Sequence, residues 1–160
     1  MLFRSTISEA VAASAGGGGQ PTFENFWKEK KIPRWLRYGA SSYCDRFSKD
    51  PEVAQGGNPW AHRDFAFSQL KEAGGMRKVE DIFAFVLDPN EPTAPRLYQE
   101  AGLLVSFLLD GTDSKKLKEK HEAFKAALHS GGAKEVSKAV EDLQKELAKN
   151  EKEIKKFADL

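Results

Sequence analysis

The stretch from Leu97 to Leu109 constrains this chain more than any other. Leu97, Ala101, Leu104, Val105 and Leu108 fall at helical spacing on one stripe, while Leu103, Phe107 and Leu109 occupy the other side. A helix that is apolar nearly all round must be covered on several faces, so other elements have to surround it. It is also too short for the ~20 apolar residues a membrane-spanning helix needs, and no other stretch comes closer. The chain has 160 residues, enough for one domain with a proper core, and Leu97–Leu109 is its expected central helix.

The elements around it also read as helices. Pro33 suits the first turn of a helix in which Leu36, Ala40, Tyr43 and Phe47 share a face. Gly39 weakens that helix, so its presence predicts a close backbone approach by a neighbour. Phe23, Phe26 and Trp27 mark a short helix that Thr22 can cap. Phe65, Ala66 and Leu70 define another ending at Gly74-Gly75, and Val79, Ile82, Phe83 and Val86 a short amphipathic one. Leu117, His121, Phe124 and Leu128 make the stripe of a further helix, closed by Gly131-Gly132. A histidine on an apolar face is more often a core residue than a ligand, so His121 is read as core. No segment alternates with the period of a strand. The expectation is an all-α, compact multi-helix domain of about seven helices with short connections.

We read 1–160 as a single helical domain. Residues 1–15 form an N-terminal helix on Leu2, Phe3, Ile7 and Val11, with a targeting segment as the alternative. Ser8 and Glu9 interrupt any signal-like apolar region there. Residues 16–20 are a glycine-rich loop without the Gly-Lys-Ser/Thr of a phosphate cradle. Residues 21–131 carry the core helices, and 132–160 form an amphipathic C-terminal segment.

In that last segment Ala133, Val136, Val140, Leu143, Leu147, Asn150, Ile154 and Phe157 alternate by three and four, a heptad seam with one polar member. One reading is a coiled coil with Asn150 setting register. The other is an amphipathic helix, broken near Asn150, that packs on its own domain. The run only just reaches the ~3–4 heptads a coiled coil requires, which favours the second. On either reading Val136, Val140, Leu143, Leu147, Ile154 and Phe157 are the candidate interaction surface for a protein partner.

Charge and cysteine usage remove several function classes. Lys+Arg number 25 against 24 Asp+Glu, so no global field selects nucleic acid. Arg34, Arg37 and Arg46 lie among Trp35, Tyr38 and Tyr43, but the apolar stripe through those aromatics favours packing over nucleic-acid contact. Cys44 is the single cysteine, which excludes an intrachain disulfide and a cysteine-based zinc site. Ser41 and Ser42 have no histidine in their local setting, and Glu80-Asp81 reads as the front of a short helix.

Two stretches carry a family resemblance. Pro33-Arg34-Trp35-Leu36-Arg37-Tyr38-Gly39-Ala40-Ser41-Ser42-Tyr43 resembles a helix of gluzincin-type zinc peptidases, particularly the peptidase MA-like group, with its pattern Pro-x-Trp-Leu-x-Glu-Gly-x-Ala-x-Tyr. Leu97 to Leu108 is similar to a later helix of the same group, where a tyrosine and small residues precede an apolar run. The resemblance extends from Pro33 to about Phe157 and implies the helical C-terminal part of such a peptidase. It also implies what the chain lacks. The family's third zinc ligand is the glutamate before the glycine, and Tyr38 stands there; a neutral phenol replaces a carboxylate poorly on zinc. The family needs His-Glu-x-x-His on an upstream helix, but no histidine precedes His62. On order and spacing, Arg4 and Ser8 would stand for the two histidines and Ser5 for the base. The expectation is a chain with no catalytic residues, no metal and no cofactor: a structural or accessory subunit of a protein assembly. The alternative is a fragment or divergent member of a zinc metallopeptidase whose active-site residues are supplied elsewhere.

Overall fold

The computed structural model describes residues 23–54, 56–87 and 94–160. Every regular element among them is helical, as the sequence pattern requires. The 1–15 helix, the 16–20 loop and the Thr22 cap lie outside the described residues. The chain divides into two compact units, each from two separated stretches: Met1–Pro33 with Ser114–Glu146, and Arg34–Asp113 with Leu147–Leu160.

In the first unit, α1 spans Phe23–Glu29, and Phe26 and Ile32 are buried. The helices that follow in chain order are α2 Arg34–Ser42, α3 Pro51–Ala54, α4 Ala61–Glu72, α5 Val79–Ala84, α6 Ala94–Ser106, α7 Lys115–Ser130, α8 Ala133–Lys149 and α9 Glu151–Phe157.

Ser114 starts α7, its Oγ accepting the Leu117 N–H at 3.2 Å. The stripe Leu117, His121, Phe124 and Leu128 is buried, and the helix closes where the Gly131 N–H reaches the Ala127 carbonyl at 2.8 Å. The Lys30 side chain donates to the Gly131 carbonyl, tying the chain after α1 to that end. At the start of α8 the Glu135 carboxylate accepts the Gly132 N–H at 3.0 Å, one half of a capping box. Val136, Val140 and Leu143 of α8 complete the buried set of this unit.

The second unit is organised on the crossing of α2 and α6. Leu97, Ala101, Leu103, Leu104, Val105, Phe107 and Leu108 are all buried, so the central-helix expectation holds. On α2 the face Leu36, Ala40, Tyr43 and Phe47 is buried, with Trp35 beside it. A Cβ on Gly39 would lie 2.6 Å from the Ala101 carbonyl oxygen, which is the close approach its presence predicts. Gly102 answers from α6, where a Cβ would lie 2.6 Å from the Phe47 ring.

Both helices widen at their ends. Tyr43–Phe47 and Phe107–Gly111 are π-helical, closed by Ser48 N–H to Tyr43 O at 2.8 Å and Thr112 N–H to Phe107 O at 2.9 Å. The expected helix to Phe47 is therefore α only as far as Ser42. Beyond them, Glu100 is a buried carboxylate on α6. It accepts the Arg77 backbone N–H at 2.9 Å and Arg77 Nε at 2.8 Å, and pairs with Arg96 Nε at 3.3 Å. Arg96 also donates to the Gly75 carbonyl at 2.9 Å, so the turn after α4 is fastened to the central helix.

Two assignments need correction. Phe65 is 63% exposed, because Ala66 and Leu70 set the inward face of α4 and Phe65 stands off it. Val86 is 72% exposed: α5 ends at Ala84, and Phe85 takes a left-handed φ of 45° that carries the following residues outward. The C-terminal seam breaks at Asn150, between α8 and α9. Val136, Val140, Leu143, Leu147 and Ile154 are buried within the chain and Phe157 is half-buried, so the described seam is interior packing and not an open coiled-coil face.

Candidate functional site

Tyr38 stands on α2 immediately before Gly39, the position where the resemblance places a ligand glutamate. With Gly39 turned to α6, Tyr38 faces outward and is 39% exposed. Its ring stacks on Phe85 at 5.0 Å between centroids and 6° between planes. The Arg37 guanidinium lies 5.6 Å from the ring centroid. The left-handed turn at Phe85 then presents Val86 and Leu87, the latter 51% exposed. The result is an aromatic and aliphatic face with one cation at its edge. It offers packing and cation–π contact.

The other degenerate-site candidates, Arg4, Ser5 and Ser8, lie outside the described residues. Among the described residues no three His, Cys, Asp or Glu side chains converge as metal ligands would. His121 is buried, and burial followed by the nearby Lys125 lowers its pKa to about 4, which leaves the imidazole neutral at neutral pH. Trp35 and Tyr43 are buried while Arg34 and Arg46 are exposed, so the basic–aromatic cluster does not form one surface. Among the described residues no helix is long and apolar enough to cross a membrane.

A second group was not singled out by the sequence pattern. Tyr43 Oη donates to Asp110 Oδ2 at 3.0 Å, joining the two π-helical segments. Burial, and then the Asp110 charge, push the phenol pKa up. Burial also raises Asp110, opposed by the Tyr43 hydrogen bond and by Arg63. Arg63 on α4 lies 4.1 Å over the Trp60 ring, with Phe67 and Phe157 at 5.6 and 5.7 Å. The spacing of Trp60, Arg63 and Phe67 at i, i+3 and i+7 is the sequence signal that would have placed them on one helical face. Asp110 carried no such signal, because its partner lies 67 residues away.

Compared with protein-family models, curated proteins and solved structures, the chain finds no match.

Proposed function

We propose that this chain is a non-catalytic helical domain, a structural or accessory subunit of a protein assembly on a degenerate gluzincin-like scaffold. The observation that carries the reading is Tyr38. The helix around it keeps the packing residues of the resemblance, Trp35, Leu36, Gly39, Ala40 and Tyr43, buried against a core with Leu104 and Phe107. At the one position where that helix would offer a metal ligand, it offers an exposed ring stacked on Phe85. A phenol so engaged serves a contact surface better than a zinc ion.

The partner surface in this proposal is the Tyr38 face, since the heptad seam is already covered. The exposure of Tyr38 also keeps the second reading open to test, in which another chain brings a His-Glu-x-x-His helix to this face. Purification of the tagged chain from its own cells, with mass measurement and cross-linking, tests both. The proposal expects a complex of fixed stoichiometry with cross-links around Tyr38. A chain recovered only as a monomer contradicts it, and a partner bearing His-Glu-x-x-His at Tyr38 replaces it with the second reading.

A further inference from the structure

We infer that the Tyr38 face receives an acidic amphipathic helix of a partner protein, which rests on the assembly reading above and adds the chemistry of the partner. The face has an apolar part and a basic part. Tyr38 lies flat on Phe85, and the left-handed turn at Phe85 sets Val86 and Leu87 outward. Arg34 stands one helical turn before Tyr38 on the same exposed stripe of α2, and the Arg37 guanidinium edges the Tyr38 ring. Among the described residues neither Arg34 nor Arg37 stands in an ion pair, whereas Arg63, Arg77 and Arg96 each face a carboxylate.

The placement of these two cations opposes folding. Helix α2 begins at Arg34, and its first turn holds no acidic residue to meet the positive end of the helix dipole. A carboxylate brought by a partner relieves both arginines, pairing with a guanidinium fork and drawn by the helix end. Tyr38, Val86 and Leu87 take aliphatic side chains at the same time, so the occupant is amphipathic. A helix with aliphatic residues at i, i+3, i+4 and i+7 between glutamates supplies both kinds of contact. An anionic bilayer fits less well. Asp45 lies about two turns beyond Tyr38, held by the Tyr98 hydroxyl at 2.7 Å, and Glu80 and Asp81 are exposed at the start of α5. A continuous negative plane meets those carboxylates as well as the arginines, whereas a helix places its charges singly.

The test is titration of the full chain, followed by amide chemical shifts, with synthetic peptides: one with leucines at that spacing between glutamates, one with lysines for the glutamates, and one with serines for the leucines. Saturable shifts on α2 and at Phe85, Val86 and Leu87 are expected for the first, with the other two each about tenfold weaker or more. Arg34→Glu with Arg37→Glu should weaken the acidic peptide by about tenfold or more and admit the lysine peptide. The urea midpoint of that variant should hold or rise, since acids suit the start of a helix. Val86→Asp should weaken the acidic peptide by about fivefold or more without unfolding the chain. No saturable shift, equal binding of the lysine peptide, or undiminished binding by the double variant would overturn the inference, as would retention on phosphatidylserine–phosphatidylcholine vesicles without peptide binding. If the peptides fail while the chain is still recovered in a complex cross-linked at Tyr38, this inference falls and the assembly reading stands; recovery as a monomer removes both.

Discussion

Gly39 and Ala101 meet backbone to backbone: a Cβ on Gly39 would lie 2.6 Å from the Ala101 carbonyl oxygen and 2.9 Å from Val105 Cγ2. Gly39→Ala should gain about 1 kcal/mol of helix propensity. The clash with a backbone oxygen cannot be relieved by a side-chain rotation and costs about 3 kcal/mol. The net expectation is a loss of about 2 kcal/mol, read as a lower urea midpoint by tryptophan fluorescence. An unchanged or higher midpoint would mean the helices can separate freely here.

Glu100 is fully buried between two arginines that each keep partial exposure. Glu100→Ala leaves both guanidinium groups without their carboxylate, but water can reach them. The cost should fall at the lower end for a broken buried pair, about 3 kcal/mol. Faster amide exchange at Arg77 should accompany it, since its N–H loses its acceptor.

His121 gives stability a pH dependence of known sign. Its folded pKa of about 4 lies below the ordinary 6.5, so as pH falls through 6.5 the unfolded chain takes up a proton that the folded chain refuses. Stability should therefore be full above 6.5 and decline toward 4, by about 3 kcal/mol in all. Lys125 and Glu122 act on it in opposite directions, after burial. Urea titrations over this range should show a shallower decline for His121→Gln than for the unaltered chain.

Leu143 tests the seam. It is wholly buried, so Leu143→Ala should cost about 2–5 kcal/mol. Val86→Asp, at an exposed apolar position, should stay within about 0.5 kcal/mol. A Leu143→Asp chain that unfolds no more easily than the unaltered one would show that the seam is an outer surface after all.

The parts of this fold that were legible are those where one residue's cost demands a neighbour. Gly39 made sense only against another backbone, and Leu97–Leu109 only inside a core. Asn150 interrupts a stripe otherwise apolar, and the helix breaks there. Phe65 and Val86 were misread because periodicity gives a face but not its edge, and because nothing in Ala84-Phe85-Val86 signals a left-handed Phe85. The π-helical segments leave no mark in residue spacing. Glu100 and Asp110 were opaque for a different reason: their partners Arg77 and Tyr43 are brought to them by the crossing of elements far apart in the chain.

The most direct measurement of the central claim is the zinc content of the purified chain, taken with its peptidase activity. The account predicts no stoichiometric zinc and no peptide cleavage, and the same result for Tyr38→Glu, since one carboxylate without its imidazole partners does not hold the ion. One zinc per chain, whose removal abolishes peptide cleavage and whose return restores it, would contradict the account.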